Sequence, residues 1–421
     1  MQMLSAIAVC AIAYGAMQTL HAQKIEVLPS QVMMDEPATV RVHGVTPGSH
    51  VTIRGELTDG GGHAWSSEAE FAADAQGDVD TSKVPPLKGS YKTVSVMGLV
   101  WSMKPQSRDV HVYQAQHELG PQPIEFHLIQ DGKELAQAHL EQFAVRPGVQ
   151  QIHVEGVVHG TFLLPAESER HPAVLVLGGS EGGMPLARAA WLASHGYAAL
   201  ALCYFRCAGR PQSLERIPLE YFGQALGWMA QRSEVDGNHL AVMGTSRGGE
   251  LALQLGAIYP EIKAVVAYVP ANVRYPACCG QRLDAAWSFE GQPLNWVAPW
   301  RQRDPSIAMR AEIAIEHTHG PILMIGGEDD GVWPSAQMVD EAAARLRKNH
   351  FAYETIVLKY PHAGHRAGLP EIIPAWHNGV PHPVSGRTVD YGGSPEGNAE
   401  SSLDAIPKVL DFLRRSLSTD R

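Results

Sequence analysis

At 421 residues the chain is longer than one hydrophobic core usually supports, so two domains are expected. Hydrophobic residues make up 45% and charged residues 18%, an ordinary globular balance that excludes a disordered or fibrous chain. The formal net charge of −11, with no long run of either sign, excludes wholesale nucleic-acid binding, which needs a basic face.

The N-terminus differs in composition from the rest of the chain. Leu4 to Met17 is nearly all apolar, and a short polar stretch then ends in Leu20-His21-Ala22. A run of about 14 residues is too short to span a bilayer, and an apolar run followed by a small residue fits a secretory signal. The segment carries no Lys or Arg ahead of the run. Residues 1–22 are therefore expected to be a signal peptide. The protein would then be exported, to a periplasm or the medium; without the signal it would be cytoplasmic. No other segment resembles a membrane span. Cys10 would leave with the signal, and Cys203, Cys207, Cys278 and Cys279 remain. Four cysteines in an exported chain allow three pairings or none. None forms a Cys-x-x-Cys, so no metal site is expected.

Residues 23–147 show apolar alternation of period two, as in Ala38-Thr39-Val40-Arg41-Val42 and Ile124-Glu125-Phe126-His127-Leu128. Turn residues such as Pro47-Gly48-Ser49 and Asp59-Gly60-Gly61-Gly62 separate the runs. This spacing predicts an all-β, immunoglobulin-like sandwich without a catalytic cluster.

Residues 148–421 read differently. Continuous apolar strands, among them Ala173 to Leu177, Ala198 to Leu202 and Leu240 to Met243, alternate with helix-length segments. Such strands are buried on both faces, which predicts an α/β domain with a mostly parallel sheet. A long segment from Arg274 to Thr318 breaks the rhythm and could form a cap or pocket wall. Trp287, Trp296 and Trp300, with Phe289 and Leu294, are candidates for an apolar acyl pocket within it, or for ordinary packing.

In open α/β sheets the chemistry belongs at the carboxyl ends of strands. After Met243 stands Gly244-Thr245-Ser246-Arg247-Gly248, a G-x-S-x-G between a buried strand and a helix. Its glycines permit a sharp turn that exposes the Ser246 hydroxyl. A serine needs a base to take its proton, and the base needs an orienting acid. Past the next strands come Glu328-Asp329-Asp330-Gly331-Val332 and His362-Ala363-Gly364-His365, in the order Ser, Asp, His. Asp329 is preferred to Asp330 because an Asp-x-x-Val step usually follows the acid in this fold. His365 is preferred to His362 because Gly364 allows a tight loop. An oxyanion needs two N–H donors. These are expected from Arg247 and from Gly179 or Ser180, in the loop Gly178-Gly179-Ser180-Glu181-Gly182-Gly183. That loop lacks the Lys-Ser/Thr ending of a phosphate-binding P-loop.

With these residues in hand, the chain resembles the acyl-CoA thioesterase / bile acid-CoA:amino acid N-acyltransferase family. The carriers include Met34-Asp35-Glu36-Pro37, Met97-Gly98-Leu99-Val100-Trp101-Ser102-Met103, Ala201-Leu202-Cys203-Tyr204-Phe205 and Gly392-Gly393-Ser394-Pro395. The resemblance implies a sandwich joined to an α/β-hydrolase domain. Its Ser/Asp/His site acts on an activated acyl group without a cofactor, with Ser246, Asp329 and His365 in those roles. Conjugating members carry cysteine where this chain has Ser246, which favours hydrolysis of a small acyl thioester or ester over transfer to an amino acid. An exported carboxylesterase is the alternative enzyme, and a non-catalytic binding module conflicts with the intact Ser, Asp and His. Neither the oligomeric state nor the acyl length is legible.

Overall fold

A computed structural model describes residues 22–278, 283–298 and 309–418. The expected signal peptide, apart from Ala22, lies outside the described residues, as do Cys279 and Trp300.

The first part is an all-β sandwich. Lys24–Leu28, Thr39–His43 and Val79–Asp80 form one antiparallel sheet. The larger sheet is built on Gln122–Gln130, Lys133–Phe143, His50–Thr58 and Ala64–Ala72. Its register places inward residues opposite inward residues: Val51 faces Phe71, Ile53 faces Ala69, and Leu57 faces Trp65, all buried. A slip of one residue would turn that whole set to solvent, so the alternation fixes the pairing.

The second part is an eight-stranded sheet. Its strands are β1 (Gln150–Val154), β2 (Gly160–Leu164), β3 (His171–Leu177), β4 (Ala198–Leu202), β5 (Val235–Thr245), β6 (Ile262–Tyr268), β7 (Ile322–Gly327) and β8 (Thr355–Tyr360). Their spatial order is β1-β2-β4-β3-β5-β6-β7-β8, parallel from β4 onward, the arrangement of an α/β-hydrolase. The helices that position the site are α1 (Leu186–Ser194), α2 (Glu220–Ala230), α3 (Arg247–Ile258), α4 (Ser335–Lys348) and α5 (Pro395–Ser416).

Alternate strand residues serve opposite faces. Val174, Val176, Ala199 and Ala201 pack with α1 and α5. Leu175, Leu177, Leu200 and Leu202 pack with α2, α3 and α4. Both faces are therefore covered, which accounts for the unbroken apolar strands. The sandwich core joins the α1/α5 side.

Residues 369–378 tie the two parts together. Ile372 N–H donates to Met34 O at 2.6 Å, Ala375 N–H to Trp101 O at 3.0 Å, and Asn378 N–H to His111 O at 2.9 Å. Trp376 meets Trp65 edge to face, with ring centroids 6.1 Å apart. The Asp35 carboxylate accepts the Trp191 indole N–H and a His195 ring N–H, both at 2.9 Å. A disulfide joins Cys203 to Cys207 just beyond β4. Among the described residues no helix is long and apolar enough to cross a membrane.

Candidate active site

Strand β5 ends at Thr245 and α3 begins at Arg247, so Ser246 alone makes the corner. Its backbone has φ 59° and ψ −120°, a conformation that costs a non-glycine residue energy and must be held by its surroundings. Ser246 N–H donates to Tyr268 O at 2.9 Å, fixing the corner to β6. A Cβ at Gly248 would lie 2.3 Å from Gly178 O, so only glycine lets α3 approach the loop after β3.

His365 lies in the loop after β8, and its Nε2 stands 2.9 Å from Ser246 Oγ. Its Nδ1 is 2.8 Å from Asp330 Oδ2 and 3.0 Å from Oδ1. A carboxylate only accepts, so the ring proton sits on Nδ1 and Nε2 is left to accept the serine O–H. A Cβ at Gly364 would fall 2.1 Å from Gly392 O, so the glycine is what lets this loop close. Ring contacts hold the imidazole further: Trp333 meets it edge-on at 5.2 Å, and Tyr391 stacks at 6.2 Å.

The structure brings Asp330, and not the expected Asp329, to His365. Asp329 does not reach His365; its carboxylate is half exposed and faces the exposed His362 at 3.4 Å. The reason lies in the turn after β7. Asp329 N–H donates to Ala363 O at 3.0 Å, and this lashing to the neighbouring loop turns its side chain outward. The Asp330 side chain is fully buried and also accepts Val332 N–H at 2.9 Å and Trp333 N–H at 3.2 Å. Three donors converge on one carboxylate, which fixes its direction.

In the loop after β3 the structure separates the two expected donors. Gly179 N–H donates to the Glu181 carboxylate at 2.9 Å, so this amide is committed within its own loop. Ser180 N–H has no acceptor among the described residues. The Ser180 hydroxyl contacts His382 Nε2 at 3.0 Å. His382 Nδ1 accepts from Val384 and Ser385 N–H at 3.3 and 3.2 Å, so the ring's own proton faces Ser180. Burial holds this imidazole below its usual pKa, in the neutral form. Arg247 N–H is the first amide of α3, where helix geometry supplies no acceptor.

The Arg247 side chain turns away from the serine into a buried network. Its guanidinium donates to the carbonyls of Tyr275 and Pro276 at 3.0 and 2.9 Å and pairs with Glu250 at 3.2 Å. Glu250 also accepts the Trp287 indole N–H at 2.7 Å. Burial pushes the Glu250 carboxyl above its usual value, opposed first by the Arg247 charge. Trp287 is thus a buried anchor that ties the 274–318 segment to α3. It does not line the space before Ser246, and neither do Trp296, Phe289 or Leu294.

That space is a cavity of about 360 Å³. Ser246, Thr245 and His365 form its floor, and Leu369, Ile373, Val389 and Tyr391 add apolar wall. Val112, Tyr113 and Ala115 close it from the sandwich, which sequence reasoning credits with no part in the site. Among the described residues no group of three or more His, Cys, Asp or Glu side chains is placed to hold a metal.

Comparison with known proteins agrees with this architecture. Residues 35–156 match the family model "Acyl-CoA thioester hydrolase/BAAT N-terminal region", and residues 217–419 match "BAAT / Acyl-CoA thioester hydrolase C terminal". The chain is 30% identical over 409 residues to mitochondrial acyl-coenzyme A thioesterase 2 of Mus musculus, covering 91% of this chain and 87% of that protein. It is 31% identical over 408 residues to the Rattus norvegicus counterpart, covering 92% and 88%. Against acyl-coenzyme A thioesterase 1 of Mus musculus it is 30% identical over 405 residues, covering 92% and 94%.

The chain belongs to the acyl-CoA thioester hydrolase/BAAT family.

Both family regions are present, and the cavity lies where they meet. Asp330 is visible in the sequence as the second of two adjacent candidates. The signal that could have chosen it is the turn Asp330-Gly331-Val332-Trp333-Pro334, in which an aspartate caps the amides two and three residues on. Tyr391 and His382 belong to no local motif and meet the site only through tertiary folding.

Proposed function

We propose that the protein hydrolyses acyl thioesters or esters through an acyl-enzyme on Ser246. The observation that supports this reading is the chain of contacts from Ser246 Oγ to His365 Nε2 at 2.9 Å and from His365 Nδ1 to Asp330 at 2.8 Å. His365 takes the serine proton as Oγ attacks the acyl carbon, and Asp330 stabilises the imidazolium. The Arg247 and Ser180 N–H groups are the available donors for the oxyanion. On collapse the bond to the thiol or alcohol breaks, and that group leaves with the proton from His365. Water then attacks the ester, gives its proton to His365, and the acid is released as Ser246 recovers its hydrogen. An oxygen ester beside a free imidazole favours water as acceptor.

Profiling acyl-CoAs and 4-nitrophenyl esters of graded chain length, with and without millimolar glycine, tests this. Free acid is the expected product with and without glycine. Mainly N-acylglycine would replace the hydrolase reading by a transferase one.

We further propose that residues 1–22 form an export signal, a reading supported by the apolar run and by Ala22. Mass spectrometry of native protein should show an N-terminus at Gln23. An intact Met1 would refute export and favour coenzyme A, a cytosolic carrier, as the leaving group.

A further inference from the structure

The loop after β3 is braced from several sides. Tyr204 O–H donates to Gly178 O at 2.6 Å, and the Glu181 carboxylate folds back to take Gly179 N–H at 2.9 Å. Arg206 donates to Glu181 O at 2.8 Å, and Gly183 N–H donates to Phe205 O at 3.1 Å. These bonds hold the loop against the nucleophile: a Cβ at Gly179 would lie 3.2 Å from Ser246 Cβ. Ser180 comes next in the chain and lines the cavity with Ser246.

The Ser180 hydroxyl stands 3.0 Å from His382 Nε2, the spacing of a serine and its base. The ring hydrogen is on the wrong nitrogen for that role. His382 Nδ1 accepts from Val384 N–H and Ser385 N–H at 3.3 and 3.2 Å, so Nε2 carries the hydrogen and donates it to Ser180 Oγ. Burial lowers the pKa of this imidazole and keeps it neutral. A hairpin, Val380–Pro381 against Thr388–Val389, fixes its place, with His382 N–H donating to Arg387 O and Gly386 N–H to His382 O, both at 2.8 Å. With its oxygen accepting from His382, Ser180 has its own O–H left to give. Among the described residues that hydrogen has no acceptor, and neither has the Ser180 N–H. Two donors of one residue thus stand unused in the cavity that holds Ser246. A hydroxyl that accepts one hydrogen bond also donates a stronger one, because chained bonds polarise each other.

We infer that the Ser180 hydroxyl is a third oxyanion donor, added to the N–H groups of Ser180 and Arg247, and that His382 is the positioning residue that aims it. This deepens the serine-hydrolase reading and rests on it. As Ser246 Oγ bonds to the acyl carbon, the carbonyl π pair moves onto oxygen, and Ser180 O–H donates to that oxygen while keeping its proton. Attack of water on the acyl-enzyme passes through the same geometry, so acylation and deacylation gain alike.

The two steps are read apart with 4-nitrophenyl butyrate. With enzyme in excess, release of 4-nitrophenolate reports acylation, and mass spectrometry of acid-quenched samples reports decay of the acyl-enzyme. Ser180→Ala keeps the amide and removes the hydroxyl. Both rate constants are expected to fall about 10²-fold, with KM unchanged and native circular dichroism. Ser180→Thr keeps a hydroxyl and should stay within about threefold of the unmodified protein. Ser180→Cys fills the same space with a weak donor and should lose about as much as Ser180→Ala, which covers the case of a loop loosened by the smaller side chain. His382→Ala should slow both steps about tenfold, and His382→Gln, whose amide can donate to Ser180, should recover most of that. Ser180→Ala or Ser180→Cys within about threefold of the unmodified protein overturns the inference. So does a loss confined to deacylation, which would make the hydroxyl a holder of water. Ser180→Thr as slow as Ser180→Ala overturns it too, since the effect would then be one of packing. His382→Gln no faster than His382→Ala removes the part given to His382. Ser246→Ala run beside them keeps the two readings apart: turnover there would remove the serine mechanism itself, and not merely its third donor.

Discussion

Two aspartate–histidine pairs stand side by side across the same two loops, Asp330 with His365 and Asp329 with His362. In the first pair the side chains are 0% and 8% exposed and 2.8 Å apart. In the second they are 55% and 79% exposed and 3.4 Å apart. The residue types and the strand ends are the same. What separates them is burial and direction: one imidazole is clamped between Trp333 and Tyr391 and aimed at Ser246, whereas the other lies in solvent. On the proposed mechanism, packing around the pair is what separates the two, because an exposed pair is screened and free to wander.

The largest effect should come from breaking the buried pair. Ser246→Ala or His365→Ala should lower kcat by about 10⁶-fold, and Asp330→Asn by about 10⁴-fold, with native circular dichroism retained. Asp329→Asn and His362→Ala should stay within about twofold of the unmodified protein. Steady-state kinetics on one chromogenic ester checks all five. If Asp329→Asn proves the more damaging of the two Asp→Asn changes, the loop does not sit as described.

The next effect concerns stability. Glu250→Ala leaves the Arg247 guanidinium buried without its carboxylate and frees the Trp287 indole N–H. A loss of about 3 kcal/mol is expected, read as a lower midpoint in urea. The exposed Lys408–Asp404 pair on α5 offers the contrast, and Lys408→Ala should cost less than about 1 kcal/mol.

The smallest effect is in pH. Burial holds the imidazoles of both His377 and His382 below the usual 6.5. The unfolded chain then binds protons that the folded one refuses. Their contribution to stability is complete above pH 6.5 and is lost as the pH falls through their depressed folded values. Replacing both by Gln should flatten the acid limb of a plot of urea midpoint against pH. An unchanged slope would show that neither ring is buried neutral.

Much of this was legible in the chain. Period two in Val51, Ile53 and Leu57 marks the sandwich, and unbroken runs such as Ala198 to Leu202 mark strands covered on both faces. Ser246 and His365 follow from local motifs whose glycines have a steric purpose at Gly248 and Gly364. The acid follows less directly, because both aspartates occupy one turn: the bond from Asp329 N–H to Ala363 O holds one side chain outward, and the caps on Val332 and Trp333 N–H hold the other inward. For Trp287 the sequence left two readings open, pocket wall or ordinary packing, for a similar reason. An aromatic run says that something apolar is nearby, not whether that is a pocket or, as for Trp287, a buried carboxylate on α3. The sandwich's share in the cavity wall, through Val112, Tyr113 and Ala115, could not be read at all, since it arises only where the two parts dock.

The most direct test of the central claim is to catch the acyl group on the protein. A 4-nitrophenyl ester is mixed with enzyme, quenched in acid within the first turnover, and digested for peptide mass spectrometry. The acyl mass is expected on the peptide carrying Ser246, and should be missing in Ser246→Ala. An acyl group on any other residue, or full turnover by folded Ser246→Ala, would contradict it.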